Sequence, residues 1–153
     1  MSILSKATSI DVQVGDKTLS METGVLANQA AGAITATIGE TVLFCAVTGS
    51  KKPREGIDFF PLQVEYREKF YAAGRFPGGY FKREAKPSEK EVLTMRVTDR
   101  PIRPLFPEGY HNDVQINMML MSTDGQQETE SMAINAASTS LTLSEIPFQG
   151  PIG

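Results

Sequence analysis

A chain of 153 residues with 41% hydrophobic and 22% charged side chains has the length of one domain and the composition of an ordinary globular protein. Its net charge of −3 is not that of a strongly basic nucleic-acid binder, and no run approaches the ~20 apolar residues that cross a bilayer. Met1–Gly15 alternates polar and apolar residues and lacks the continuous apolar stretch of a signal peptide. Cys45 is the single cysteine, so no internal bridge can form, which fits a reducing, cytoplasmic setting. It lies in the apolar run Val42–Val47 and reads as a packing thiol. His111 has no neighbouring cysteine or second histidine to build a zinc site, and following Gly109-Tyr110 it reads as a surface turn residue.

The charge is unevenly spread. Arg67 to Arg103 holds ten basic residues against five acidic ones, so an acidic body carries one basic locus. Such a locus suits an anionic ligand, and a solvated face explains it equally well.

In chain order, Ile10–Val14 and Thr18–Met21 flank Gly15-Asp16-Lys17 as a hairpin. Ala31–Ile38 and Thr41–Val47, rich in Thr, Ile, Val and Phe, form a second hairpin about Gly39-Glu40. Lys51–Asp58 reads as a mobile loop, and Phe59–Tyr66 as a further strand. Tyr71–Pro87 has no periodicity and several glycines and prolines, the mark of a long loop. Its rings Tyr71, Phe76, Tyr80 and Phe81 argue against disorder, because such side chains normally need a surface.

A helix starts at Pro87-Ser88, where Ser88 and Glu91 make a capping box. Val92, Met95 and Asp99 trace one side of it, with Arg96 and Arg100 on a neighbouring stripe. Pro101 is expected to end or kink the helix near Asp99–Arg100. Val114–Met121 returns to strand before the turn Thr123-Asp124-Gly125, and Glu128 to about Leu143 is a second helix. Its small residues Ala133, Ala136, Ala137 and Ser140 would let it lie close to a sheet. Strands, loop, helix, strand, helix in this order make the chain α+β. The apolar stretch Ile146–Gly153 looks cut in mid-fold.

Phosphate-loop, dinucleotide, Gly-x-Ser-x-Gly and paired-carboxylate patterns are absent, so no self-contained active site is visible. What remains is Tyr80-Phe81-Lys82-Arg83. Two rings and two cations can hold a single strand, bases stacking on the rings at roughly 1–3 kcal/mol each and cations meeting phosphates. Alternatively both rings are core and the cations point to water, which composition alone favours. Arg96, Arg100 and Arg103 are a second set, suited to phosphate contacts and to internal ion pairs alike, with Asp99 at hand.

Phe59-Phe60-Pro61-Leu62, Tyr71-Ala72-Ala73-Gly74-Arg75-Phe76-Pro77-Gly78, Arg83-Glu84, Pro87-Ser88-Glu89 and Asp99-Arg100-Pro101-Ile102-Arg103-Pro104-Leu105-Phe106-Pro107-Glu108-Gly109 follow in an order that resembles the polynucleotide phosphorylase family across essentially the whole chain. Ile146-Pro147-Phe148 and Gly150-Pro151-Ile152-Gly153 match it too. Similarity to ribonuclease PH is weaker. The resemblance implies a ribonuclease-PH-like (ribosomal protein S5 domain 2-like) α+β fold, with residues 1–153 forming most of the first of two such cores, truncated on its C-terminal side. It further implies a nucleotidyltransferase and exoribonuclease of mRNA degradation, which uses inorganic phosphate to release nucleoside diphosphates from RNA 3′ ends and also runs in reverse. Magnesium or manganese would serve the whole enzyme through ligands outside this segment, leaving the segment inactive alone. A cytoplasmic homotrimer, single-stranded RNA and degradation-complex partners such as an endoribonuclease and a helicase belong to the same expectation. The family's RNA-gripping motif, usually two phenylalanines and two arginines, aligns with Tyr80-Phe81-Lys82-Arg83, where Lys82 lacks the bidentate fork. Two alternatives stand beside it: a non-catalytic RNA-binding or assembly module, and a small tRNA-trimming phosphorolytic nuclease like ribonuclease PH.

Overall fold

A computed structural model describes residues 7–53, 56–78, 80, 84 and 86–153. Among these residues six strands form one mixed sheet: β1 (Thr8–Val14), β2 (Lys17–Thr23), β3 (Gly32–Ile38), β4 (Thr41–Pro53), β5 (Leu62–Glu68) and β6 (Asn112–Ser122). Their spatial order is β1-β2-β3-β4-β6-β5. Every neighbouring pair is antiparallel except β5 and β6, which run parallel because the helix α1 (Glu89–Ile102) carries the chain between them. A second helix, α2 (Thr129–Thr142), follows β6.

The first two hairpins need only two residues each to turn, and Gly15 and Gly39 supply the positive φ (63° and 58°) at those turns. β4 is longer than its apolar run suggests. Past Gly49 the register with β6 shifts, and pairing resumes at Pro53 opposite Asn112. Ser50 ties this extension down, its hydroxyl accepting from the Asp113 N–H at 2.9 Å and its carbonyl from Asn112 at 2.9 Å. Lys51–Pro53 is therefore strand rather than loop.

β6 alternates strictly. Val114, Ile116, Met118 and Leu120 are buried, while Gln115, Asn117, Met119 and Met121 are exposed. Register carries this alternation across the sheet, so Ile34, Cys45, Met118 and Tyr66 form one buried row. Both helices cover this face, α1 against β5 and α2 against β3 and β4, and they touch each other. Ala133, Ala136, Ala137 and Ser140 are fully buried, as close helix–sheet packing requires. Gly32 completes the approach, since a Cβ there would collide with the backbone carbonyl of Ser140. Burial pushes the Cys45 thiol up to about 12, so it packs as a small apolar group.

α1 departs from its sequence pattern in two ways. Pro101 lies inside the helix, which ends only at Ile102 and passes into a 3₁₀ turn at Arg103–Leu105. The fully buried Ile102 and the bond from the Arg103 N–H to the Asp99 carbonyl hold the last turn past the proline. The buried stripe is Glu91, Thr94, Thr98 and Ile102, whereas Val92, Leu93 and Val97 face out.

Ile146 and Phe148 return to the body of the domain. Phe148 packs on Phe106 at a centroid distance of 5.6 Å, beside a cluster with Phe60 and Tyr110. His111 is half-buried rather than on the surface, its Nδ1 lying 3.2 Å from the Ile57 carbonyl oxygen. No helix among the described residues is long and apolar enough to cross a membrane.

Candidate nucleic-acid interface

The aromatic-rich loop leaves the sheet at the end of β5. A short 3₁₀ turn, Phe70–Ala73, reverses the chain and ends at Gly74, whose left-handed φ of 64° favours glycine. The N–H groups of Gly74 and Arg75 close the turn on the Tyr71 and Phe70 carbonyls at 2.9 and 3.0 Å. The Ala72 carbonyl accepts from the Thr123 N–H at 2.9 Å, which fixes this limb to the chain just past β6.

The returning limb is tied back by carboxylates. Glu84 accepts from the Phe70 N–H at 2.7 Å, and its other oxygen lies 3.6 Å from the Lys69 ammonium. Ser88 caps α1 by accepting from the Glu91 N–H at 3.2 Å. The buried Glu91 carboxylate reciprocates by accepting from the Ser88 N–H, and it also takes the Glu68 N–H at 2.8 Å. One glutamate thus closes a capping box and joins the helix start to the end of β5.

A second network lies beneath. The Tyr66 hydroxyl donates to Glu68 at 2.6 Å, Thr129 donates to the same oxygen at 3.1 Å, and Lys90 sits 3.0 Å from it. Burial alone would raise the Glu68 carboxyl, but the donors Tyr66 and Lys90 outweigh it and hold the group below its usual range. Lys90 is displaced upward for the converse reason: burial opposes its charge, and Glu68 and Glu130 more than compensate. Burial first, then the bond to Glu68, raises the Tyr66 phenol. These groups join β5, α1 and α2 at one corner, directly below the loop.

At the tip, Tyr80 and Phe76 are each 94% exposed, an unusual position for rings. Of the proposed quartet Tyr80-Phe81-Lys82-Arg83, Phe81, Lys82 and Arg83 lie outside the described residues. A cavity of about 440 Å³ between the loop's limbs is lined by Lys69, Arg75 and Lys86 together with Glu68, Glu84 and Glu91. Three cations against three carboxylates make it a neutral, cross-linked space rather than an anion hole. These cations belong to the basic locus between Arg67 and Arg103, and nothing in their spacing marks them.

The three arginines share a different place, a groove of about 1110 Å³ along the outer side of α1, floored by Leu62, Val64 and Val97. Their roles divide there. Arg103 grips Asp99 with both oxygens engaged, at 2.7 and 2.6 Å, and donates to the Phe60 and Leu62 carbonyls at 3.0 and 3.2 Å. Its fork lies over the Phe60 ring, 5.8 Å from the centroid. Asp99 therefore pairs with Arg103, four residues on, and not with adjacent Arg100. Arg96 and Arg100 are exposed on the groove's wall.

A mixed six-stranded sheet with two helices on one face and a long, stitched aromatic loop at the parallel edge is a ribonuclease-PH-like architecture. The model for the 3′ exoribonuclease family, domain 1, matches residues 15–147, and the chain belongs to that family. Among curated relatives, the polyribonucleotide nucleotidyltransferase of Rhizorhabdus wittichii is 53% identical over 144 residues, 94% of this chain and 19% of the relative. That of Desulfitobacterium hafniense is 55% identical over 141 residues, 92% of this chain and 19% of the relative. The chain thus spans about a fifth of the length of these relatives. Two solved structures share the fold at low identity. Rice Rrp46 gives a TM-score of 0.56 at 15% identity, covering 95% of this chain and 59% of its own. An Archaeoglobus fulgidus exosome with RNA bound to its active site gives 0.59 at 17%, covering 97% and 58%.

Proposed function

We infer that this chain is the N-terminal part of the first ribonuclease-PH-like core of a polynucleotide phosphorylase, and that it supplies RNA-channel and ring-assembly surface to that enzyme. The observation that carries the reading is identity above half to polyribonucleotide nucleotidyltransferases along almost the whole chain. The enzyme would use phosphate to cleave single-stranded RNA from its 3′ end, as a cytoplasmic homotrimer with endoribonuclease and helicase partners. The magnesium or manganese of the reaction would be held by ligands elsewhere in the longer enzyme.

In this reading the loop's work is to hold, not to cut. Exposed rings at residues 76 and 80 offer faces on which any base can stack, so grip does not depend on sequence. Phe81 would add a further ring, and Lys82 and Arg83 would meet phosphates. Lys82 makes a point-charge contact where arginine would make two bonds. Arg96 and Arg100 remain available for RNA or for a neighbouring subunit, whereas Arg103 is committed to Asp99 and the backbone.

The test is in the full-length enzyme. Replacing Tyr80 and Phe81 together by alanine should weaken long-RNA binding about 5- to 150-fold per lost stack. Turnover of a very short oligomer, which cannot reach both loop and active site, should change little. If the double variant degrades long and short RNA as the wild type does, the loop is not a grip.

A further inference from the structure

On the sheet face away from the helices, β6 presents Gln115, Asn117, Met119 and Met121. Register places Arg67 of β5 on one side of Met119 and Phe44 of β4 on the other. Over the end of this row stands Tyr71, the second residue of the 3₁₀ turn. Its hydroxyl donates to the Met119 sulfur at 3.2 Å, and the Met121 sulfur lies 3.9 Å away. Two residues apart on one strand, both thioethers rise on the same face.

Tyr71 is fixed at both of its ends. Its carbonyl accepts from the Gly74 N–H at 2.9 Å, and the next carbonyl, of Ala72, accepts from the Thr123 N–H at 2.9 Å. At the far end the phenol is engaged by thioethers, weak acceptors that nevertheless set the direction of the ring. The residue is still 53% exposed. A ring that is both fixed and open has lost its rotamer freedom before any ligand arrives, so a ligand meets it at little ordering cost.

The size and charge of the patch select the ligand. Its apolar members are Tyr71, Met119, Met121 and the half-buried Phe44, and along the strands it gives way to polar pairs, Glu65 opposite Asn117 and Gln63 opposite Gln115. A stable protein interface takes about 20–30 residues a side, far more than this. Four such side chains match one flat ring, and Arg67 sets a cation beside them. A nucleobase with its phosphate has that shape and charge.

We propose that Tyr71 is a base-stacking platform for single-stranded RNA on the open face of the sheet, with Arg67 meeting the adjoining phosphate. This platform rests on the reading of the chain as RNA-channel surface, and lies at the base of the loop rather than at its tip.

The test uses the full-length enzyme and long single-stranded RNA. Tyr71→Ala should weaken binding about 5- to 150-fold, the loss of one stack. Tyr71→Leu, which keeps an apolar contact with the methionines, should lose as much. Tyr71→Phe keeps the ring and loses only the bond to sulfur, so it should stay within about 3-fold of wild type. Oligouridylate carrying 5-iodouridine should, on irradiation, crosslink to the tryptic peptide Phe70–Arg75, and Tyr71→Ala should abolish that crosslink. Wild-type affinity in Tyr71→Ala overturns the platform, whatever the Tyr80→Ala/Phe81→Ala pair does. Loss in Tyr71→Ala while that pair binds normally upholds the platform and removes the grip at the tip. Binding restored by Leu assigns Tyr71 to packing, and a changed oligomeric mass of Tyr71→Ala in light scattering assigns it to a protein interface. Either result overturns the proposal.

Discussion

Tyr66→Phe isolates one bond in the corner that joins β5 to both helices. Tyr66 is fully buried, and phenylalanine keeps its ring, so the change deletes only the hydroxyl and its 2.6 Å bond to Glu68. A hydrogen bond to a charged group contributes about 1.5–3 kcal/mol. Glu68 keeps Lys90 and Thr129, and its carboxylate is partly solvated, so the low end applies, about 1.5 kcal/mol. For a domain of this length that corresponds to a loss of roughly 3–6 °C in Tm. Urea unfolding should show a lower midpoint with an unchanged slope. The pH dependence fixes which partner is responsible. Glu68 is held below its usual range, so its stabilisation is complete above the usual value of 4.5 and is lost as pH falls through the folded-state value. Lys90, displaced upward, loses its share only above 10.5, far from neutrality. The gap between wild type and Tyr66→Phe should therefore be constant near neutrality and narrow below about pH 4. An identical urea midpoint at pH 7, or a gap that does not narrow in acid, refutes the account.

Gly32→Ala places a Cβ against the Ser140 backbone carbonyl, which cannot swing aside, and should cost about 1–3 kcal/mol or more by forcing α2 off the sheet. Thermal unfolding followed by circular dichroism measures it, and an unchanged Tm would show that the helix has room to move. Thr98→Val should do the opposite. The Thr98 hydroxyl is fully buried and has no hydrogen-bond partner among the described residues, so a methyl in its place should raise stability by about 1 kcal/mol. Calorimetry showing a lower Tm for this variant would mean the hydroxyl is satisfied.

Signals confined to a few neighbouring residues were legible in the sequence. The alternation of β6, the Ser88–Glu91 cap and the small residues of α2 each state their own local physics, and the structure follows them. The inner face of α1 was not legible. Periodicity assigns apolar residues inward, yet Thr94 and Thr98 are buried and Leu93 and Val97 face out, because β5 and α2 both approach the threonine side. Pro101 marks a helix end by its missing N–H, and the burial of Ile102 overrides it. At the candidate interface, ring and charge types pointed to Tyr80, but the bond from the Phe70 N–H to Glu84 joins residues 14 apart through irregular backbone and leaves no periodic trace. Of the three arginines near Asp99, helical spacing selects Arg103, four residues on.

The sheet order also sets a timetable. β1 to β4 form a meander of neighbouring strands that can pair as soon as each leaves the ribosome, but β5 has no partner until β6 is made. Throughout that interval Leu43, Cys45 and Val47 lie on an open strand edge, and the aromatic loop and α1 lack the Thr123 anchor. When β6 emerges it pairs on both sides at once, sealing β4, recruiting β5 and bringing the Thr123 amide to the Ala72 carbonyl. The loop therefore acquires its tie to the β6 end in the same event that completes the sheet. A nascent chain stalled before residue 112 holds the loop's sequence without the Thr123 anchor at its base.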